Sequence, residues 1–427
     1  VTETLAGVAG FQPLGIPFEF ILFAATLLGV ALFHHRTLAV AITGLASIVM
    51  YKLAITGFHE GTGLAGLAGH LDAEWVVLAN LFGLLMGFAL LSRHFEESHV
   101  PAKLPDYLPD DWRGAFLLLV MVFVLSSFLD NIAAALIGGT VAATVFRHQV
   151  HIGYIAALVA ASNAGGSGSV VGDTTTTMMW IDGVSPLDVL HAYVAAGVAL
   201  VVCGIPAALQ QHAYSPIVKH SSRRMSIDWG RVGIVATILL AAIAVNVLTN
   251  VQFPEYADRF PFLGAAVWLA ILATAAWRRP DWSVLPATLR GTTFLLSLVL
   301  AASMMPVERL PIASWSTALG LGFVSAVFDN IPLTKLALEQ GGYDWGVLAY
   351  AVGFGGSMVW FGSSAGVAIT NLFPDARSVG GWLRGGWHVA LAYVAGFAAV
   401  MLVMGWHPHA PHKGFATEPA VTAHPQE

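Results

Sequence analysis

The sequence predicts an all-α polytopic membrane protein of about 11–14 hydrophobic segments. Two inverted-topology repeats are expected, each with a discontinuous helix and a re-entrant hairpin. Three observations predict this. The 427-residue chain is 57% hydrophobic and only 10% charged, whereas a soluble domain is roughly 25% charged. Apolar runs of spanning or near-spanning length recur along it. Inside those runs a glycine- and hydroxyl-rich stretch occurs twice. The net charge of −6 comes with no basic patch, so no nucleic-acid partner is expected. The single Cys203 excludes a disulfide framework.

In order, the apolar segments fall at about 17–33, 38–56, 74–92, 114–129, 131–146, 153–180, 189–210, 232–250, 262–277, 291–306, 316–328, 331–341, 346–371 and 386–406. The piece at 331–341 is too short to span and reads as re-entrant. The pieces at 153–180 and 346–371 contain the breaks. Chain ends carry less information. The chain begins at Val1 rather than Met, which leaves room for an absent initiator or targeting segment. Residues 1–16 do not resemble a cleavable signal, and the tail from His407 is rich in Pro and His, as disordered segments are.

Charge orients the segments. With the N-terminus outside and strict alternation, the inside loops hold Arg36, Arg93, Lys103, Arg113, Arg147, Lys219, Arg223, Arg224, Arg231, Arg278, Arg279, Arg290, Arg377 and Arg384. The outside holds Arg259, Arg309 and Lys413. This 14-to-3 bias follows the positive-inside rule, with both termini outside, in the periplasm. Lys52 and Lys335 fall within segments, and both are expected to snorkel to the surface.

Gly165-Gly166-Ser167 followed by Gly172-Asp173 is echoed 190 residues later by Gly355-Gly356-Ser357 and Gly362-Ser363. An acid–amide pair precedes each copy, Asp130-Asn131 and Asp329-Asn330. Two matches in the same order indicate an internal repeat. Residues 74–210 and 291–406 then form two sets of five segments, and an odd number inverts equivalent elements, which places a site near the midplane between them. Residues 1–73 and 211–290 are left as scaffold, and 407–427 as a disordered tail.

Asp173 is the sharpest candidate for chemistry. A carboxylate at membrane depth costs about 2.5–3.5 kcal/mol on insertion scales unless a cation or proton offsets it. Proton and metal ion compete for the same oxygens, which is the physical basis of antiport. Asp173 also suits the N-cap of a helix starting at Thr174. Asp130, Asn131, Asp329 and Asn330 stand at helix ends, where they could bind an ion or simply cap. Ser162, Asn163, Ser167, Ser357, Ser363 and Ser364 offer neutral oxygens suited to a hard monovalent cation, although lone membrane hydroxyls usually bond the previous turn. Thr174 to Thr177 expose hydroxyls and helix N-terminal amides that would attract an anion. Neither polar stretch contains an Arg to clamp a carboxylate.

Other polar residues read as bland. His59, Glu60 and His70 are expected in a wet outside loop, His94, Glu96 and Glu97 in a wet inside one, and His407, His409 and His412 in the tail. Gly165-Gly166-Ser167-Gly168 fits the nucleophile pattern of rhomboid-type intramembrane proteases. Such an intramembrane serine hydrolase would need Ser167 within hydrogen-bond reach of a base such as His191.

These residues resemble the NhaD-type sodium/proton antiporters of the ion transporter superfamily, which also holds arsenite and di/tricarboxylate carriers. The resemblance rests on Ser162 to Gly166, Gly172 to Ile181, Val327 to Pro332, Gly355 to Met358 and Gly362 to Val367, and covers about 75–406. It implies exchange of Na+ or Li+ for H+, with the acids and Asn163, Thr175 and Thr176 near the ion, and no cofactor besides the transported ions. It also implies a bacterial inner membrane and a homodimer in the lipid bilayer. Leu129 stands where the family often has a second acid. The carboxylate carriers' Ser-Asn-Thr signature is Ser162-Asn163-Ala164 here and has no counterpart in the second half. The expectation is alternating-access antiport with Na+ held by Asp173, Asp130, Asn163 and Thr175. An anion carrier and the hydrolase are the rivals.

Overall fold

The computed structural model describes residues 11–33, 36–218, 226–257 and 259–409. The helices, short turns aside, are α1 (Phe18–Leu32), α2 (Thr37–Tyr51), α3 (Gly63–Glu97), α4 (Trp112–Ser126), α5 (Asn131–Val145), α6 (Ile152–Ser167), α7 (Thr174–Ile181), α8 (Ala192–Tyr214) and α9 (Trp229–Gln252). They continue with α10 (Phe262–Ala275), α11 (Leu285–Ser303), α12 (Trp315–Ser325), α13 (Asn330–Gln340), α14 (Trp345–Gly355), α15 (Ser364–Leu372), α16 (Val379–Gly385) and α17 (Trp387–Val403). No strand occurs among the described residues. Most of the tail lies outside them.

Among the described residues, five helices are long and apolar enough to cross a bilayer, six if the pair α16–α17, bent by 63°, is one span. This is a multi-pass membrane protein. The spans expected at 114–129 and 131–146 are shorter than a crossing. α4 and α5 have 15 residues each, about 22 Å at 1.5 Å per residue, against a hydrocarbon core of about 30 Å. α12 and α13 have 11 each. In both pairs an acid–amide step starts the second helix, four residues past the end of the first.

Side chains start these helices. Asp111, Asp130, Asp173, Asp228, Asp329 and Asp344 accept backbone N–H groups at the N-caps of α4, α5, α7, α9, α13 and α14. Ser314 forms a capping box with Thr317 at α12. A cap contributes about 1 kcal/mol, and a bare N–H in lipid costs more than that.

α6 and α14 occupy the centre. Every residue from Gly153 to Ser167 and from Trp345 to Gly355 is buried, as expected of helices wrapped by others on all sides. Ala156, Ala157, Ala160, Ala161 and Ala164 let neighbouring backbones approach α6 closely, and α4, α8 and α14 pack against it. A second apolar cluster joins α3 with α9 and α10 through Leu84, Leu91, Ile234, Ile238 and Val267. There the Gly264 N–H donates to Asn80 Oδ1 at 3.0 Å, and Trp268 Nε1 donates to the Gly83 carbonyl at 3.0 Å. A third cluster joins α1, α2 and α11 through Phe23, Leu27, Ala41, Ile48 and Leu298.

The two halves make equivalent contacts. Ser126 Oγ donates to the Ser162 carbonyl at 2.5 Å, and Ser325 Oγ donates to the Val352 carbonyl at 2.7 Å. A Cβ on Gly165 would lie 2.0 Å from the Phe123 carbonyl oxygen, and one on Gly355 would lie 2.3 Å from that of Gly322. Each α4–α5 or α12–α13 tip therefore presses backbone against backbone at a broken helix, and only glycine permits it.

Four polar residues expected to be wet or snorkelling are buried instead. Lys335 is 2% exposed and pairs with Glu74 and Glu339. Lys52 Nζ donates to the Met304 carbonyl at 2.9 Å. His70, on α3, bonds Glu60 and Ser303 at 3.1 and 3.0 Å. His94 is 2% exposed and sits 2.8 Å from the Arg231 guanidinium, within a charged tie formed by Arg93, Glu96, Glu97, Arg231, Asp228, Asp281 and Arg278. For the two histidines the reason is that α3 extends beyond the apolar run on both sides, carrying them into helix contacts that hydropathy places in loops; each lysine finds a buried acceptor on another helix or at its end.

Candidate ion-binding site

The site is built where the break between α6 and α7 meets the break between α14 and α15. Loose backbone at this depth must be satisfied locally, and hydroxyls do it. Thr176 Oγ1 donates to the Ser169 and Asp173 carbonyls at 2.5 and 2.9 Å. Thr177 Oγ1 donates to those of Val170 and Asp173 at 2.9 and 2.8 Å. Ser127 and Ser169 tie the α4–α5 tip to the same loop, Ser127 Oγ to the Gly165 carbonyl at 3.0 Å and Ser169 Oγ to the Ser127 carbonyl at 2.7 Å.

A chain of amides then crosses between the halves. Asn131 Nδ2 donates to Asn163 Oδ1 at 3.0 Å and reaches Asp173 Oδ1 at 3.3 Å. Asn163 Nδ2 donates to Ser357 Oγ at 2.9 Å and to Ser363 Oγ at 3.1 Å. Asp173 is 2% exposed. Its Oδ1 also accepts the Thr175 N–H at 3.4 Å, while its Oδ2 has no hydrogen-bond partner among the described residues. Thr175 Oγ1 and Asn330 Nδ2 are likewise buried without partners. A Cβ at Gly353 would stand 3.3 Å from Asp173 Oδ2, so that glycine leaves room beside the carboxylate.

Asp130 and Asp329 cap α5 and α13, accepting the Ile132 N–H at 3.1 Å and the Ile331 N–H at 3.0 Å. Ser364 Oγ donates to Asp329 Oδ2 at 3.2 Å. Asp130, Asn131, Asp173, Thr174, Asn330 and Ser364 line a cavity of about 320 Å³, whose walls are largely apolar residues of α3 and α11. Arg93 and Glu96 also line it. Arg93 is engaged by Glu96, Glu97 and Asp281 at 3.0, 3.3 and 3.0 Å.

The candidates thus divide. Asn131, Asn163, Asp173, Ser357 and Ser363 form one hydrogen-bonded group, with Thr175 and Asn330 carrying partnerless polar atoms. Ser162 Oγ donates to the Val159 carbonyl at 2.9 Å, and Thr176 is engaged by the loop backbone. Ser167 Oγ donates to the Ala164 carbonyl at 2.8 Å, and His191 Nε2 lies 2.6 Å from Asp344 Oδ1. The Ser–His pair a hydrolase requires is not formed. Sequence reasoning passed over the serines at the hairpin tips and Gly353. The tip serines stand three or four residues before the acid–amide pairs, and the spacing of four is shared by both halves; Gly353 gave no signal.

Carboxylate, amide and hydroxyl oxygens are donors for a hard cation. Among the described residues no three His, Cys, Asp or Glu side chains converge as ligands for a metal. The helix N-termini at Thr174 and Ser364 add partial positive charge, so the group is not uniformly negative.

The chain is 28% identical over 332 residues to sodium/proton antiporter 1 of Arabidopsis thaliana, covering 67% of this chain and 55% of that protein. It therefore spans little more than half of that relative. It is 24% identical over 363 residues to the Na(+)/H(+) antiporter NhaD of Halomonas elongata, covering 72% of each. It is 24% identical over 332 residues to the Na(+)/H(+) antiporter NhaD of Vibrio parahaemolyticus, covering 66% of this chain and 78% of that one. The family model described as "Citrate transporter" matches residues 11–355. Because that match spans most of the chain, the protein belongs to the citrate transporter family.

Proposed function

We propose that the protein is a secondary transporter that exchanges Na+ or Li+ for H+ across a bacterial inner membrane by alternating access. The carrying observation is Asp173 Oδ2, buried and without a hydrogen-bond partner among the described residues, beside the partnerless Thr175 Oγ1. A carboxylate in that position needs a cation or a proton. Whichever arrives displaces the other, and exchange follows from competition for one oxygen pair. Asn163, Asn131, Ser357 and Ser363 orient the group, and Asp130 supplies a second acid on the cavity wall. The relatives named as sodium/proton antiporters support this reading.

The membrane arrangement belongs to the proposal. α4–α5 and α12–α13 are re-entrant hairpins of two inverted repeats, 74–210 and 291–406. Each hairpin holds two helices, so counting both as crossings or neither leaves the alternation unchanged. Arg93 then marks the cytoplasmic side, the cavity opens inward, both termini lie in the periplasm, and the protein works as a homodimer. Residues 1–73 and 211–290 serve as scaffold.

An anion carrier is the second reading. The α7 and α15 N-termini at the breaks favour it, and so does the description of the family. Against it, the Arg93 guanidinium on the cavity wall is already engaged by three acids. Vesicles with an imposed pH gradient decide. Proton flux evoked by Na+ or Li+ and lost in Asp173→Asn is the expected result. Flux evoked only by citrate or succinate would replace the antiport reading with the second.

A further inference from the structure

Antiport at Asp173 leaves the buried charge of Lys335 without a role. Lys335 lies on α13, five residues beyond Asn330 at the cavity wall. Its Nζ is held by Glu339 of the same helix and by Glu74 of α3, at 3.0 Å from Glu74 Oε2. The Lys335 side chain is 2% exposed and that of Glu74 is 12%. Burying such charges costs several kcal/mol per ion, and apolar residues of similar size would pack as stably. Stability alone does not account for the group.

Its position does. α13 packs on α11, α7 and α14, while its packing against α3 is slight. The Lys335–Glu74 pair therefore bridges a loose boundary. Across that boundary stand a long helix, α3, and the short helix whose first turn carries Asn330. α3 is also a wall of the cavity, through Leu81, Leu84, Leu85, Phe88, Arg93 and Glu96. Glu74 lies two helical turns past Leu81 and about 28 Å along the axis from Arg93. The ion pair thus fastens α13 to α3 at the end of the wall remote from Arg93.

We propose that Lys335 is a positioning residue for transport. Its pair with Glu74 holds α13 against α3 while the cavity is open at Arg93, and the pair parts when the site turns to the opposite face. This rests on the alternating-access part of the proposed function but is indifferent to which ion is carried.

Two measurements test it. In a Cys203→Ser background, Thr288→Cys on the cavity wall reports access to a membrane-impermeant maleimide. Neutralising the group together, with Glu74→Gln, Lys335→Met and Glu339→Gln, removes both ion pairs without leaving either glutamate charged beside a missing lysine. The expected result is labelling slowed at least threefold, because the open state loses its tie. Separately, Glu74→Cys with Lys335→Cys, joined through two disulfides by a bifunctional methanethiosulfonate, should lose Na+-evoked proton flux at least tenfold and regain it when the disulfides are reduced. Labelling within twofold of the parent in a normally melting neutral variant overturns the proposal, as does flux that survives complete cross-linking. If the parent responds to no Na+ at all, antiport fails while the labelling experiment still decides the latch.

Discussion

Asn163 and Ser357, 194 positions apart, meet at 2.9 Å between Nδ2 and Oγ, so one amide ties the first broken helix to the second. The other end of that amide accepts from Asn131, which also reaches the carboxylate of Asp173. Asn163→Ala removes these bonds at about 1 kcal/mol or more each. The KM for the transported cation should rise roughly tenfold, and the melting temperature should fall by several degrees because Asn131, Ser357 and Ser363 lose a buried partner. Initial-rate flux in vesicles measures it.

Asp173 has two tasks that substitution separates. Asn caps a helix as well as Asp does, so Asp173→Asn should keep α7 and the melting temperature while losing transport almost completely. Asp173→Ala should lose transport and about 1 kcal/mol of stability as well. Transport retained in Asp173→Asn would mean that the residue only caps.

Glycines at the hairpin contacts should be intolerant. In Gly165→Ala and Gly355→Ala the new methyl meets backbone oxygen at 2.0 and 2.3 Å, and backbone cannot step aside as a flexible side chain can. Losses of several kcal/mol or failure to fold are expected, on the scale of severe core strain. Gly233→Ala and Gly320→Ala, with nothing within 4 Å, should be neutral or gain up to about 1 kcal/mol. Melting in detergent compares the four.

Gly353→Ala is a finer probe. Its methyl would stand 3.3 Å from Asp173 Oδ2, close enough to crowd a bound ion without breaking the fold. A several-fold rise in cation KM at unchanged melting temperature is expected. An unchanged KM would argue that the ion lies on another side of the carboxylate.

The Asp281–Arg93 pair at the end of α3 should not contribute to pH dependence near neutrality. Asp281 is held below the ordinary carboxylate range by the Ser283 hydroxyl and N–H and by Arg93. A lowered folded-state value means the contribution is present above the unfolded value of 3.8 and is lost as pH falls through the folded one. Asp281→Asn should therefore lower the melting temperature equally at pH 5 and pH 8. Any change of transport rate across that window arises from groups other than Asp281.

Local chemistry made much of this legible. Low charge and long apolar runs indicated a membrane protein. Glycines with hydroxyls inside those runs located both helix breaks, and Asp130, Asp173 and Asp329 marked helix starts because a side-chain acceptor beside bare N–H groups is a local necessity. Tertiary structure decided the rest. That Asn163 faces Ser357 and Ser363, that Ser162 and Thr176 turn to the backbone, and that Lys335 is clasped by Glu74 all depend on which helices touch. Hydropathy reports how deep a residue can sit, whereas a partner two hundred positions away is chosen by packing, and no pattern along the chain encodes that choice.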